Sequence, residues 1–151
     1  SLTPPVVALI GHMGAWPARP IQKAAAKLYS KPAILESYFD ELDQKIGERM
    51  SALQQRLSEL SQYGVSFVEP EGGIYLSTRF DLFGLLGVET NEEIREWLLE
   101  SAGVAIVPFQ AFGLEEDTGW FRISVGAVSV LDINAAMGRL ESALMTASGH
   151  E

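Results

Sequence analysis

Between Pro32 and Gly64 apolar residues return every three or four positions: Leu35, Phe39, Leu42, Ile46, Met50, Leu53, Leu57 and Leu60. Glu, Gln, Ser and Arg fill the other faces. That period specifies one amphipathic helix, with Pro32 at its start and Gly64 placed as a left-handed cap. About 32 residues at about 1.5 Å each make a rod of about 48 Å, longer than most helices of globular proteins. Such a rod either seams against a partner helix, as a coiled-coil stripe would, or links two bodies. Whatever the chain folds into must accommodate it.

Two shorter helices are expected before the rod. Thr3 precedes Pro4-Pro5, and a helix runs from there toward Gly11. Pro20 restarts a pattern through Ile21, Ala24, Ala25 and Leu28 up to Tyr29. After Gly64 the apolar period falls to two. Val65–Val68 reads as a strand, Glu69–Gly73 as a turn, and Ile74–Phe80 as a second strand. Thr90 and Glu93 have capping-box spacing before a helix that buries Ile94, Trp97 and Leu98 and stops at Gly103. Gly103–Pro108 reads as a short apolar strand, and Trp120–Val125 as an alternating one. Ser129 and Asp132 form a second capping box before Ile133, Met137, Leu140 and Leu144. Strands lie beside helices without strict alternation, so the fold class is α+β: a small antiparallel or mixed sheet of three or four strands packed on helices, preceded by the long linking helix.

Composition closes several routes. The 151 residues contain no cysteine, which excludes disulfides and a thiol nucleophile, and His12 and His150 stand too far apart for a zinc site. Net charge −9 makes the chain a poor binder of nucleic-acid phosphates. No apolar run approaches the roughly 20 residues that cross a bilayer, and Ser1–Pro5 is unlike a signal peptide, so cytoplasm is the expected compartment. P-loop, Gly-x-Ser-x-Gly, His-Glu-x-x-His and Gly-x-Gly-x-x-Gly patterns are all missing. Glu115-Glu116-Asp117 is a carboxylate cluster between two glycines, which reads as a solvated loop more readily than as a metal site.

One strand carries chemistry. In Trp120–Val125, alternation puts Phe121, Ile123 and Val125 on the core face and Trp120, Arg122 and Ser124 on the other. Two readings are open for Arg122: a fork that grips a carboxylate in two places, or a surface residue in a salt bridge. In the neighbouring strand, Tyr75, Ser77 and Arg79 share one face, and Tyr75 suits either a ligand wall or an ordinary cross-strand pair.

Four segments in order carry a resemblance: Glu71–Leu76 (EGGIYL), Ala102–Pro108 (AGVAIVP), Ala111–Gly113 (AFG) and Gly119–Ser124 (GWFRIS). Together they resemble the C-terminal part of pyridoxal-phosphate-dependent class I/II aminotransferases of fold type I. The resemblance implies that Arg122 binds the substrate α-carboxylate and that Tyr75 packs near the substrate when a small domain closes. It assigns no catalytic residue, cofactor-binding residue or metal ligand to this chain. Pro108–Gly113 departs from the family pattern at Phe109, where glycine is usual. Met13-Gly14-Ala15-Trp16 resembles a segment that lies near the neighbouring subunit's cofactor in family dimers. The family's cofactor-bearing lysine lies upstream of all these motifs. Ser30-Lys31 only imitates it, and Lys23 and Lys27 read as solvated-face residues.

The resemblance therefore implies a piece of a larger enzyme. Residues 1–31 are expected to be the end of a large cofactor-binding domain, 32–64 the linking helix and 65–151 the small substrate-closing domain. The parent would be a cytoplasmic, homodimeric transferase of amino acid metabolism, moving an amino group between an amino acid and a 2-oxo acid through pyridoxal phosphate. This chain alone would hold no cofactor and be inactive. A lyase or synthase using the same cofactor, or a non-catalytic module that binds carboxylates, are the alternatives. No nucleic acid or membrane partner is expected.

Overall fold

Helix starts follow the prolines and caps. The computed structural model describes residues 2–12 and 17–149. Pro4 and Pro5 lie in the first turn of α1 (Thr3–His12), and Pro20 in that of α2 (Arg19–Tyr29). First-turn amides have no intrahelical partner, so proline forfeits no bond there. Pro32 opens α3 (Pro32–Glu59), whose 28 residues span about 42 Å at about 1.5 Å per residue. α3 ends earlier than its sequence predicts. Ser61–Tyr63 tightens into a 3-10 turn, and Gly64 at φ 85° caps that turn instead of the long helix. The cause is tertiary: the Asp81 amide donates to the Gly64 carbonyl at 3.0 Å, which brings Val65 opposite Phe80.

The chain forms two compact units, Ser1–Leu42 and Asp43–Glu151. In the first, no described residue of α1 or α2 is buried, and Val6, Val7, Leu9 and Ile21 are exposed. The same holds for the start of the α3 stripe, where Phe39 is exposed although its spacing marks it as apolar-face. Burial on α3 begins at Met50 and is complete at Leu53 and Leu57.

The second unit is α+β. Its sheet joins β1 (Val65–Phe67), β2 (Tyr75–Phe80), β3 (Val107–Pro108) and β4 (Trp120–Ser124) in the order β1-β2-β4-β3, every neighbour antiparallel. α4 (Phe83–Leu86), α5 (Asn91–Ala102) and α6 (Val130–Ala147) complete the unit. Leu76 and Phe80 of β2, with Phe121 of β4 and Val125 just beyond it, meet Leu53 and Leu57 of α3, Ile94 and Leu98 of α5, and Leu140 and Leu144 of α6 in one core. The Phe80 and Phe121 rings meet edge to face at 5.9 Å, a favoured aromatic geometry.

Both capping boxes are present: Thr90 with Glu93, and Ser129 with Asp132. The expected strand over 103–108 shrinks to Val107–Pro108. Gly103 is the left-handed cap of α5 and the Val104 amide still bonds back to Leu98, so the start of that segment belongs to the helix end. α4 and a 3-10 turn at Phe109–Phe112 have no periodic signature and are additions.

Gly119 fixes the sheet register. Its φ is +76°, its carbonyl accepts from the Phe80 amide at 2.8 Å, and a Cβ there would lie 2.7 Å from the Phe80 carbonyl oxygen. Gly119→Ala should therefore cost about 1–3 kcal/mol, from backbone strain plus the clash, as measured by urea unfolding. A change under half the lower figure would show that the ladder does not depend on this approach. The capping boxes predict an acid response. The Thr90 hydroxyl holds the Glu93 carboxyl below its ordinary 4.5, helped by the Glu89 and Thr90 amides. The Ser129 hydroxyl, then its amide, hold Asp132 below its ordinary 3.8. A depressed folded-state value stabilises above the ordinary value and is lost as pH falls through the folded one. Melting temperature should thus drop from about pH 4.5 downward, and Ser129→Ala with Thr90→Ala should flatten that slope. An unchanged slope in the double variant would remove the caps as its source.

Candidate functional site

In an antiparallel sheet, residues directly opposite share a face. Tyr75 faces Ser124, Ser77 faces Arg122, Arg79 faces Trp120, and Val107 flanks Arg122 from the other side. These residues lie on the face away from the core, as the alternation of β2 and β4 predicts. Tyr75 and Arg122 are brought together there. The Arg122 guanidinium carbon lies 4.9 Å from the Tyr75 ring centroid and 3.8 Å from that of Phe112. A planar cation stacked on aromatic faces is held electrostatically without spending its N–H donors.

The other arginines of residues 43–151 are committed to oxygen. Arg49 donates to the carbonyls of Val125 and Gly126, Arg56 pairs with Glu59 and Glu141, and Arg79 with Asp81. Arg95 pairs with Glu92, and Arg139 donates to the Ala102 carbonyl. Among the described residues no carboxylate pairs with Arg122. Its salt-bridge reading therefore has no partner within them, and its fork stays open.

Phe112 reaches Arg122 from outside the sheet. It ends the 3-10 turn Phe109–Phe112, whose Phe109 ring lies 6.2 Å from both Phe112 and Trp120. The segment is tied to the start of α5 by Asn91, which is 1% exposed. The Asn91 side-chain amide donates to Gln110 Oε1 at 2.9 Å, and its Oδ1 accepts from the Gly119 amide at 2.8 Å. The backbone amide of Asn91 donates to Asp117 Oδ1 at 2.6 Å, and Gln110 Nε2 donates to the same oxygen at 3.0 Å and to the Glu116 carbonyl at 2.9 Å. The carboxylate cluster thus supplies a charge to a helix N-terminus, where the macrodipole favours it, and among the described residues no metal-binding cluster is present. Sequence periodicity misses Phe112 because it sits in a turn. The only signal is its place in the Pro-x-x-x-Phe-Gly segment.

Open depressions mark the surface of residues 43–151. One of about 430 Å³ is lined by Val68, Ser77, Phe109, Leu114, Thr118 and Trp120. Another of about 460 Å³ lies between α3 and the turn at 70–73, with Asp43 and Glu71 in its wall. Neither contains a lysine, and the chain's lysines, Lys23, Lys27, Lys31 and Lys45, are exposed on or beside helices. An acidic groove without a lysine does not fit pyridoxal phosphate, so no step through that group is assigned to these residues. Met13–Trp16 lies outside the described residues. Among those described, no helix is long and apolar enough to cross a membrane.

Residues 8–140 match the family model of class I and II aminotransferases. The aspartate aminotransferase of Pyrococcus horikoshii is 33% identical over 105 residues, which cover 70% of this chain and 25% of that protein. That of Pyrococcus abyssi is 33% identical over 124 residues, covering 82% of this chain and 29% of the relative. The solved aromatic aminotransferase from Pyrococcus horikoshii superposes with a TM-score of 0.74 at 28% identity, over 93% of this chain and 35% of that one. The chain spans only about a quarter to a third of the length of these relatives. With the matching α+β architecture and the motifs in place along it, the chain belongs to the class I and II aminotransferase family, fold type I.

Proposed function

We propose that this chain supplies the carboxylate clamp of an aminotransferase, with Arg122 gripping the substrate α-carboxylate through two parallel N–H donors and Tyr75 walling the site beside it. The observation that carries this is the guanidinium itself: packed against two rings on the sheet face away from the core, with no carboxylate among the described residues to satisfy it. An incoming carboxylate has no internal ion pair to displace. The planar fork matches its two oxygens, and the rings lower the local dielectric without adding a competing charge.

The parent enzyme, on this reading, transfers an amino group between an amino acid and a 2-oxo acid in the cytoplasm, as a homodimer. Pyridoxal phosphate and its lysine are held by residues other than those described here. Residues 1–31 belong to the large domain, 32–64 link, and 65–151 form the small domain that closes over substrate. The exposed apolar residues of α1 and α2 support that division, since such surface calls for cover. Relatives named for aspartate and a structure named for aromatic substrates frame the panel of amino donors to try.

Two outcomes are expected. In the holoenzyme, Arg122→Ala removes the partner of a carboxylate, a loss of about 2–5 kcal/mol, so kcat/KM should fall roughly 30- to 4000-fold. Arg122→Lys should lose much of the same, because a point charge does not reproduce the fork. Circular dichroism melts of both variants should stay close to the parent, since Arg122 faces away from the Phe121 side. Unfolding of Arg122→Ala with intact turnover in the surviving molecules would make the arginine structural. Second, the 151-residue chain mixed with pyridoxal phosphate and reduced with borohydride should show only scattered labelling of exposed lysines. One stoichiometrically labelled lysine would place the cofactor on this chain.

A further inference from the structure

Arg122 is held by something, and the holder is not the strand alone. Its guanidinium stacks most closely on Phe112, at 3.8 Å, a residue ten positions upstream in a turn with no ladder bonds to the sheet. A lone 3-10 turn of four residues is weak by itself. Here the segment that carries it, 109–119, is held at two points by one buried side chain. Asn91 reaches Gln110 inside the turn through its amide donor and Gly119 at the end of the segment through its carbonyl. Asp117 closes the loop by accepting from the Asn91 amide and from Gln110 Nε2. A buried amide with both ends satisfied is rigid, because each alternative leaves a polar group unpaired.

We propose that Phe112 is a positioning residue for Arg122, and that Asn91, Gln110 and Asp117 form a latch that sets its ring under the guanidinium. The proposal rests on the clamp reading of Arg122. Phe112 is 50% exposed, so its ring contributes little to the core. An exposed phenylalanine held by a latch against a cation has a role in that cation's geometry. The ring confines the guanidinium to one plane before substrate arrives, so the ordering cost of its long side chain is met in advance.

The test compares variants of the holoenzyme by steady-state kinetics with an amino acid and a 2-oxo acid. Phe112→Leu keeps apolar bulk and loses the π face. It should raise KM for both carboxylate substrates roughly 3- to 30-fold, with kcat changed less than about 3-fold and the melting temperature close to the parent. Phe112→Tyr restores the face and should return KM to within about 3-fold. Asp117→Ala loosens the latch at an exposed site and should raise KM in the same direction. The double variant Asp117→Ala/Phe112→Leu should be no worse than Phe112→Leu alone, because both act through one ring. Unchanged KM in Phe112→Leu, or failure of Phe112→Tyr to rescue, overturns the positioning role of the ring. Full additivity in the double variant overturns the latch. Arg122→Ala run in parallel separates the two levels: if it leaves KM and kcat/KM unaltered, the clamp reading falls, whereas a large Arg122 effect with a silent Phe112 sinks only this proposal.

Discussion

The β2–β4 ladder is the constraint from which the rest follows. One register places Leu76, Phe80 and Phe121 against the helices and, in the same stroke, Tyr75 and Arg122 on the opposite face. A slip by one residue would reverse every side chain. It would put a guanidinium among Leu57, Leu98 and Leu140, where an unpaired charge costs several kcal/mol or more. Stability and site geometry are therefore specified by the same pairing. The ladder is fastened beyond both ends, by the Phe80 amide on the Gly119 carbonyl and by the Val125 amide on the Ile74 carbonyl.

The two faces then diverge in chemistry. Beneath the sheet the packing is apolar except at Thr78, whose buried hydroxyl lies between Leu76 and Phe80 on the core face of β2. Above it, the segment 109–119 lays aromatic rings along β4: Phe109 against Trp120, Phe112 against Arg122. Rings hold a cation without neutralising it, which an internal carboxylate would not do. The chain carries net charge −9 with 20 acidic residues, and several of its acids are committed to other partners. Asp117 is occupied at the start of α5, Glu92 by Arg95 and Asp81 by Arg79.

Sequence reveals those features that local chemistry decides. Both capping boxes, the glycine stop at Gly103 and the face assignment of Phe121 against Arg122 are local, and all are found as read. The end of α3 was not legible, because the Gly64–Asp81 contact that tightens residues 61–63 joins positions 17 apart in sequence. The α3 stripe shows the same limit differently. Its period is uniform from Leu35 to Leu60, yet Phe39 is exposed and Leu57 fully buried, since period gives orientation and not cover. At the site, Arg122 and Tyr75 could be named as candidates from alternation, and the role proposed for them rests on motif resemblance. Phe112 and the Asn91 latch could not, because turns carry no period and a buried asparagine is indistinguishable by type from a surface one.

Gly119 shows why fold and site have to be separated by choice of residue. Its positive φ lets the segment turn back into β4, its missing side chain admits the Phe80 carbonyl, and its amide is one of the two bonds made by the buried Asn91 side chain. A change there disturbs ladder, core and latch together, so any loss of substrate binding would have several sources. Phe112 has the opposite character: half exposed, outside the core, and touching the cation directly. The positions that most constrain the fold are thus poor reporters of the proposed clamp. The half-exposed ring above the sheet is the better reporter, because it meets the cation and the Phe109 ring from outside the core.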